Sequence, residues 1–188
     1  AKNKKIVVPS SDNEKVLKMA KNIKSHPDTK AIMKGCDVEV TFVWIDSDTG
    51  VKCKCKVDLL NLFYGYIADL KTTRCAYDED FSKDLYNMNL HIQAAFYLDG
   101  VNTTVSRVLG QRFEIEDFFF VTIENNGLHQ ANLMQMALGG IEMGREDYKK
   151  ALGTYAKFKK NKRSWKGYEK GITQVDVPGY AYSRRLAS

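Results

Sequence analysis

The sequence predicts an α/β domain in which a mixed β-sheet is flanked by helices. Three observations lead there: apolar runs that alternate at strand period, separate stretches with apolar residues at helical spacing, and a length of 188 residues, which suits one domain with a core of its own. Hydrophobic residues make up 44% and charged residues 28% of the chain, an ordinary balance for a globular protein.

The elements follow in order. Ser11-Asp12-Asn13-Glu14 has capping-box spacing and predicts a helix to about Ser25, with Val16, Leu17, Ala20 and Ile23 on one side and His26-Pro27 ending it. Val38, Val40, Phe42 and Trp44 alternate as a first strand, and Asp46 to Gly50 turns into a second over Val51–Asp58. A hairpin through Leu59-Leu60-Asn61-Leu62-Phe63-Tyr64-Gly65-Tyr66 leads to a third strand, Ile67-Ala68-Asp69-Leu70-Lys71. Phe81, Leu85, Met88, Ile92 and Ala95 recur at 4-3-4-3 spacing as one helix with one buried stripe, on which Gln93 and Tyr97 are i, i+4 neighbours. Phe113–Ile123 reads as a fourth strand with a buried middle at Phe118-Phe119-Phe120-Val121. From about Leu128 to Lys160 a helical pattern runs through Met134, Leu138, Ile141, Tyr148, Leu152 and Tyr155, with a kink or break expected at Gly139-Gly140 and Gly144. The expected organisation is a single domain over residues 1–188, its core at about 36–125, with a C-terminal helical and basic segment at about 128–170.

Composition narrows the function. No apolar run approaches the roughly 18 residues of a membrane span, and Ala1-Lys2-Asn3-Lys4-Lys5 lacks a secretory apolar region, so a cytoplasmic protein is expected. Cys36, Cys53, Cys55 and Cys75 show no C-x-x-C spacing, and Cys53 and Cys55 share a strand face that suits packing better than zinc. His26, His91 and His129 form no H-x-x-x-H pair; His91 is expected at the surface or as a support, not as a ligand. The formal net charge of +6 is unevenly spread: residues 1–34 carry +6, residues 35–144 carry −8 and residues 145–170 carry +7. An acidic centre between basic arms suits a metal site that grips a polyanion, although lysines also solvate helix faces. In the second basic arm Lys157, Lys159, Lys160, Lys162, Arg163 and Lys166 interleave with Tyr155, Phe158, Trp165 and Tyr168. Cations beside aromatics suit phosphate contact and base stacking, and aromatics at helical spacing also serve as core.

Strand period puts Asp69 and Lys71 on one face. A hairpin centred between Phe63 and Tyr64 sets Asp58 opposite Asp69, about 5 Å away at Cβ. Two carboxylates that close repel, and a hard divalent cation removes the penalty. A lysine beside it orients water or offsets charge on a phosphate, so D-(x)10-D-x-K fits a phosphodiester hydrolysis site; a bare D-x-K is far more often a surface salt bridge, and the motif alone decides nothing.

In sequence order, Asp58, then Asp69-Leu70-Lys71, then Gln93-Ala94-Ala95-Phe96-Tyr97 resembles the PD-(D/E)XK nuclease superfamily, whose RecB-like branch carries the Q-x-x-x-Y helix. With Glu39, Trp44, Gly50, Lys56-Val57, Phe81, Trp165-Lys166-Gly167-Tyr168 and Val177-Pro178 added, residues of about 23–180 resemble the RecE-type phage and prophage exonucleases. The resemblance implies a restriction-endonuclease-like fold and a Mg²⁺-dependent enzyme, with Mn²⁺ able to substitute, that degrades linear double-stranded DNA 5′ to 3′. It implies Asp58, Asp69 and the main-chain carbonyl of Leu70 as metal ligands, Glu39 as a weaker one, Lys71 as the catalytic lysine, and Gln93 and Tyr97 as positioning groups. A RecT-type single-strand annealing protein as partner, a ring-shaped homo-oligomer and a phage or prophage origin in a bacterial host are implied as well. The alternatives are an endonuclease of the same superfamily and a DNA-binding module with impaired catalysis. Two departures stand out. The family's upstream helix, with a metal-holding histidine, has no counterpart, so a domain shortened at its N-terminal end is expected and His26 reads as a helix terminator. Glu124-Asn125-Asn126-Gly127 also stands where relatives have a basic, proline-containing turn.

Overall fold

The computed structural model describes residues 9–161, 171–179 and 182. Two compact units divide the chain, Ala1–Ala156 and Lys157–Ser188. Within the second, the Tyr182 hydroxyl donates to both oxygens of Asp176 at 2.7 and 2.8 Å.

The first unit is built on a five-stranded sheet in the order β1-β2-β3-β4-β5. The strands are β1 (Asp37–Ile45), β2 (Lys52–Asn61), β3 (Tyr66–Thr73), β4 (Asp117–Glu124) and β5 (Ala131–Gln135). All neighbours are antiparallel except β3 and β4, which run parallel. A parallel neighbour needs a crossover, and α3 (Asp78–Asn87) and α4 (Leu90–Leu109) supply it. With α5 (Leu138–Lys160), α4 covers one face, where Phe42, Trp44, Cys53, Cys55, Val57, Ile67, Phe118 and Phe120 form the larger core. The opposite face buries Leu59, Ala68, Val121 and Ile123 under Ile23 of α1 (Ser10–Ser25) and Ile32 of α2 (Pro27–Ile32). The mixed sheet between helices is therefore observed.

Several expectations need correction. Helix α1 begins at Ser10 behind Pro9 with no side-chain cap; Asp12 and Asn13 donate their N–H groups to the Pro9 carbonyl at 3.1 and 3.0 Å. Val16 and Leu17 are exposed, because only the C-terminal half of α1, through Met19 and Ile23, reaches the core. Strand β2 runs on to Asn61 instead of stopping at Asp58. The stripe from Phe81 to Ala95 belongs to two helices, with Met88 52% exposed at the joint and Asn89 left-handed at φ 57°. Apolar spacing continues across the joint because both helices lie on the same core, so periodicity could not show the break. Strand β4 starts only at Asp117; before it, the backbone of Phe113 and Ile115 is tied to the side chains of Ser106 and Asn102 on α4.

The largest miss is β5, within a stretch expected to be helical from Leu128. Ala131, Leu133 and Met134 are compatible with helix, and pairing along the open edge of β4 overrides that preference. Nor do the glycines break α5. A Cβ on Gly144 would lie 2.1 Å from the His91 carbonyl oxygen, so glycine here is what lets α5 approach the α4 backbone. Arg145 and Tyr148 then clamp Asp99 of α4: the guanidinium donates at 2.8 and 2.9 Å and the tyrosine hydroxyl at 2.5 Å. Gly144→Ala is expected to force the two helices apart and cost about 1–3 kcal/mol of stability, measured by urea denaturation with the slope unchanged.

Candidate active site

Strands β2 and β3 pair over only three positions, from Asn61↔Tyr66 to Leu59↔Ala68. The next residues in that register are Asp58 and Asp69, as the hairpin argument requires, and there the strands part. In place of a backbone ladder bond, the Leu70 N–H donates to Asp58 Oδ2 at 2.9 Å. The parting coincides with a slip in β2. Cys53, Cys55 and Val57 face α4, as does Leu60, but Leu59 packs on the opposite face. One alternation is lost between Val57 and Leu59, and the β1–β2 ladder skips Asp58 together with Glu39, whose φ is 60°. A regular strand would have left Asp58 on the open face with Lys52, Lys54 and Lys56. The slip is what brings its charge to the α4 side.

Asp69 is the centre of the site. It lies on an inner strand between β2 and β4 and is only 2% exposed. Gln93 of α4 donates Nε2 to Asp69 Oδ1 at 2.6 Å. The Lys71 ammonium is ion-paired with Oδ2, so the two residues do share a face. No hydrogen bond of good geometry reaches that second oxygen. Burial raises the proton affinity of Asp69, Asp58 raises it further, and Lys71 and Gln93 pull it back only in part, leaving it above the ordinary range. Tyr97, one helical turn beyond Gln93, has its hydroxyl held protonated to higher pH by burial and then by the charges of Asp69, Cys55 and Asp58.

The donor set fits a hard divalent cation. Asp58 lies near enough to Asp69 to raise its proton affinity, Asp69 is buried and incompletely satisfied, and both offer hard oxygen donors. Among the described residues no group of three or more His, Cys, Asp or Glu converges, so solvent and substrate oxygens must complete any such shell. Cys53 and Cys55 are buried in the core, and none of the four cysteines forms a disulfide.

The remaining expectations divide. Asp58, Asp69, Lys71, Gln93 and Tyr97 converge. Glu39 does not; it is exposed and pairs with Lys56 instead. Leu70 is seen to engage Asp58 through its N–H. His26 caps α2, its Nδ1 accepting from the Thr29 N–H at 3.5 Å. His91 is buried, 2% exposed, rather than at the surface, stacked on Tyr86 with Nε2 3.4 Å from Asp147. Glu124 accepts from the N–H groups of Ala76 and Gln130, so the acidic turn after β4 is structural. Lys157, Lys159 and Lys160 are exposed at the end of α5, whereas Lys162, Arg163 and Lys166 lie outside the described residues. The Asp99–Arg145–Tyr148 clamp was not anticipated, although a lone acid beside the apolar turn from Phe96 to Leu98 was its signal.

Residues 2–170 match the family described as a PDDEXK-like domain of unknown function, DUF3799. Among solved structures, a candidate exonuclease from Eubacterium rectale superposes with a TM-score of 0.63 at 16% identity, covering 87% of this chain and 64% of that one. This chain thus spans a little under two thirds of that protein, and at such identity the likeness is one of fold. A second structure, SSO0001, aligns at 16% identity over 77% of this chain and 61% of its own, with a TM-score of 0.39, too low to carry an argument. No curated protein matches the sequence.

The raised proton affinity of Asp69 has a consequence for stability. The folded state holds this proton more tightly than the unfolded chain, so stability falls as pH rises from the ordinary aspartate range through the elevated folded value. Without metal, Asp69→Asn is therefore expected to melt at a higher temperature than the parent at pH 8, and the two should converge towards pH 3 in calorimetry.

Proposed function

The chain belongs to the PDDEXK-like domain family and has a restriction-endonuclease-like fold, and on that premise we propose that it is a metal-dependent nuclease hydrolysing DNA phosphodiester bonds at Asp58, Asp69 and Lys71. The observation that carries this reading is the buried Asp69, ion-paired with Lys71, held by Gln93 at 2.6 Å and adjoining Asp58. A carboxylate kept in so unfavourable a place is better explained by a task than by stability.

In this reading Asp58, Asp69 and the Leu70 carbonyl hold the cation, Mg²⁺ or Mn²⁺ in its stead. When bound, it supplies Lewis-acid stabilisation of charge on the phosphate and cancels the repulsion between the carboxylates. Lys71 then turns from Asp69 to the substrate, orienting the attacking water and donating to the phosphate oxygen as negative charge grows there. Gln93 keeps Asp69 in one rotamer, and the Tyr97 hydroxyl, protonated across the working range, donates to the phosphate. Lys157, Lys159, Lys160, Lys162, Arg163 and Lys166 hold the DNA backbone.

The finer reading is a RecE-type exonuclease that shortens linear double-stranded DNA 5′ to 3′. It leaves 3′ single strands for a RecT-type annealing partner and works as a ring of identical subunits in the cytoplasm of a phage-carrying bacterium. The ordered motif set from Glu39 to Pro178 supports it.

Gel assays of linear and closed circular duplex with Mg²⁺ or EDTA test both levels. The expected result is loss of the linear substrate alone, abolished by EDTA and by Asp69→Ala and slowed about 10²–10³-fold by Lys71→Ala. Cutting of the closed circle would replace the exonuclease with an endonuclease. DNA binding without hydrolysis, unaffected by EDTA, would reduce the chain to a binding module.

A further inference from the structure

A groove of about 470 Å³ opens between α4 and α5, within the range of small-molecule sites. Its walls include Phe96 and Tyr97 of α4 and Leu152 and Tyr155 of α5, with Asn89 and Gln93 also lining it. We propose that this groove is a nucleobase subsite, which takes the base of the nucleotide whose phosphate is bound at Asp58 and Asp69; the proposal rests on the nuclease reading above.

Gln93 and Tyr97 belong both to the groove and to the carboxylate site, and Gln93 Nε2 is 2.6 Å from Asp69 Oδ1. The groove therefore begins one side chain from the reacting phosphate, a separation that a sugar spans. No lining residue carries a formal charge, so the groove repels neither sign and offers a phosphate no countercharge. Aromatic and aliphatic walls suit a flat, neutral ring, and stacking of this kind accepts any of the four bases.

Two further features fit a base and not merely an oily surface. Asn89 is held left-handed at φ 57°, and its side chain caps no helix N–H. An amide placed at an aromatic groove in this way offers a donor and an acceptor to the edge of a base. The walls are also set before any ligand arrives. Phe96 packs against Trp44 at 4.8 Å and Tyr148 at 5.4 Å, and the Asp99–Arg145–Tyr148 clamp fixes α5 against α4. A preformed groove loses little entropy when it takes a ring.

The test compares linear duplexes carrying either a normal or an abasic nucleotide at the reacting position, digested by the unaltered chain, Tyr155→Ala and Leu152→Trp, which fills the groove. The abasic substrate is expected to show a kcat/KM about tenfold lower with the unaltered chain. That ratio should shrink to near one in both variants. Equal rates on the two substrates, or a ratio that persists in the variants, would overturn the subsite while leaving the nuclease reading intact. If no DNA is hydrolysed at all, the nuclease reading fails first. The groove is then read directly from 2-aminopurine deoxynucleoside 5′-monophosphate fluorescence in the presence of Ca²⁺. Saturable quenching, weakened about tenfold by Leu152→Trp, upholds the subsite, and unchanged fluorescence ends it.

Discussion

A carboxylate buried in the middle of a sheet dictates much of this architecture. Asp69 sits on an inner strand with helix α4 above it, where an ionised group loses several kcal/mol of hydration. Lys71 and Gln93 compensate from one face, yet one oxygen lacks a properly formed hydrogen bond and Asp58 adds a like charge nearby. Packing alone would favour an apolar residue here. The sheet instead opens around the charge: β2 leaves β3 at this level, and the slip at Asp58 and Glu39 forfeits ladder pairing and leaves a second carboxylate close enough to raise the proton affinity of the first. Local irregularity of this kind concentrates where a fold trades stability for chemistry.

The helical layer is shaped by the same centre. Helix α4 carries Gln93 and Tyr97 to the carboxylates and packs Phe96 between Trp44 and Tyr148. Its position depends on two contacts that differ in character. Gly144 removes a side chain so that the backbones meet at His91, and Asp99 accepts from both Arg145 and Tyr148 farther along. The first is a steric permission and the second a directed polar lock. Together they fix how α4 presents its residues to the sheet.

Much of this was readable from residue order. Strand period put Asp69 and Lys71 together, and counting from the hairpin tip carried the register to Asp58 and Asp69, but the slip in β2 that turns Asp58 to the α4 side was not legible. The motif Gln93-x-x-x-Tyr97 was legible as one helical face. What stayed hidden depended on partners distant in sequence. Strand β5 exists because β4 offers an edge, and no local preference in Ala131–Gln135 announces it. The joint at Asn89 was masked by continuous apolar spacing, and the burial of His91 comes from α5 lying across it. Glu39 reads as an acid in the right order for a ligand, but its position and φ of 60° direct it to Lys56.

In the proposed function Asp58 and Asp69 hold a divalent cation. A crystal grown with Mn²⁺ and measured at its absorption edge tests this most directly. The expected result is one anomalous peak between the two carboxylates, at roughly 2.0–2.3 Å from an oxygen of each, the range set by small hard cations, with Lys71 displaced from Asp69. A peak confined to other residues, with the Asp69–Lys71 pair undisturbed, would contradict it and leave the buried aspartate a structural ion pair.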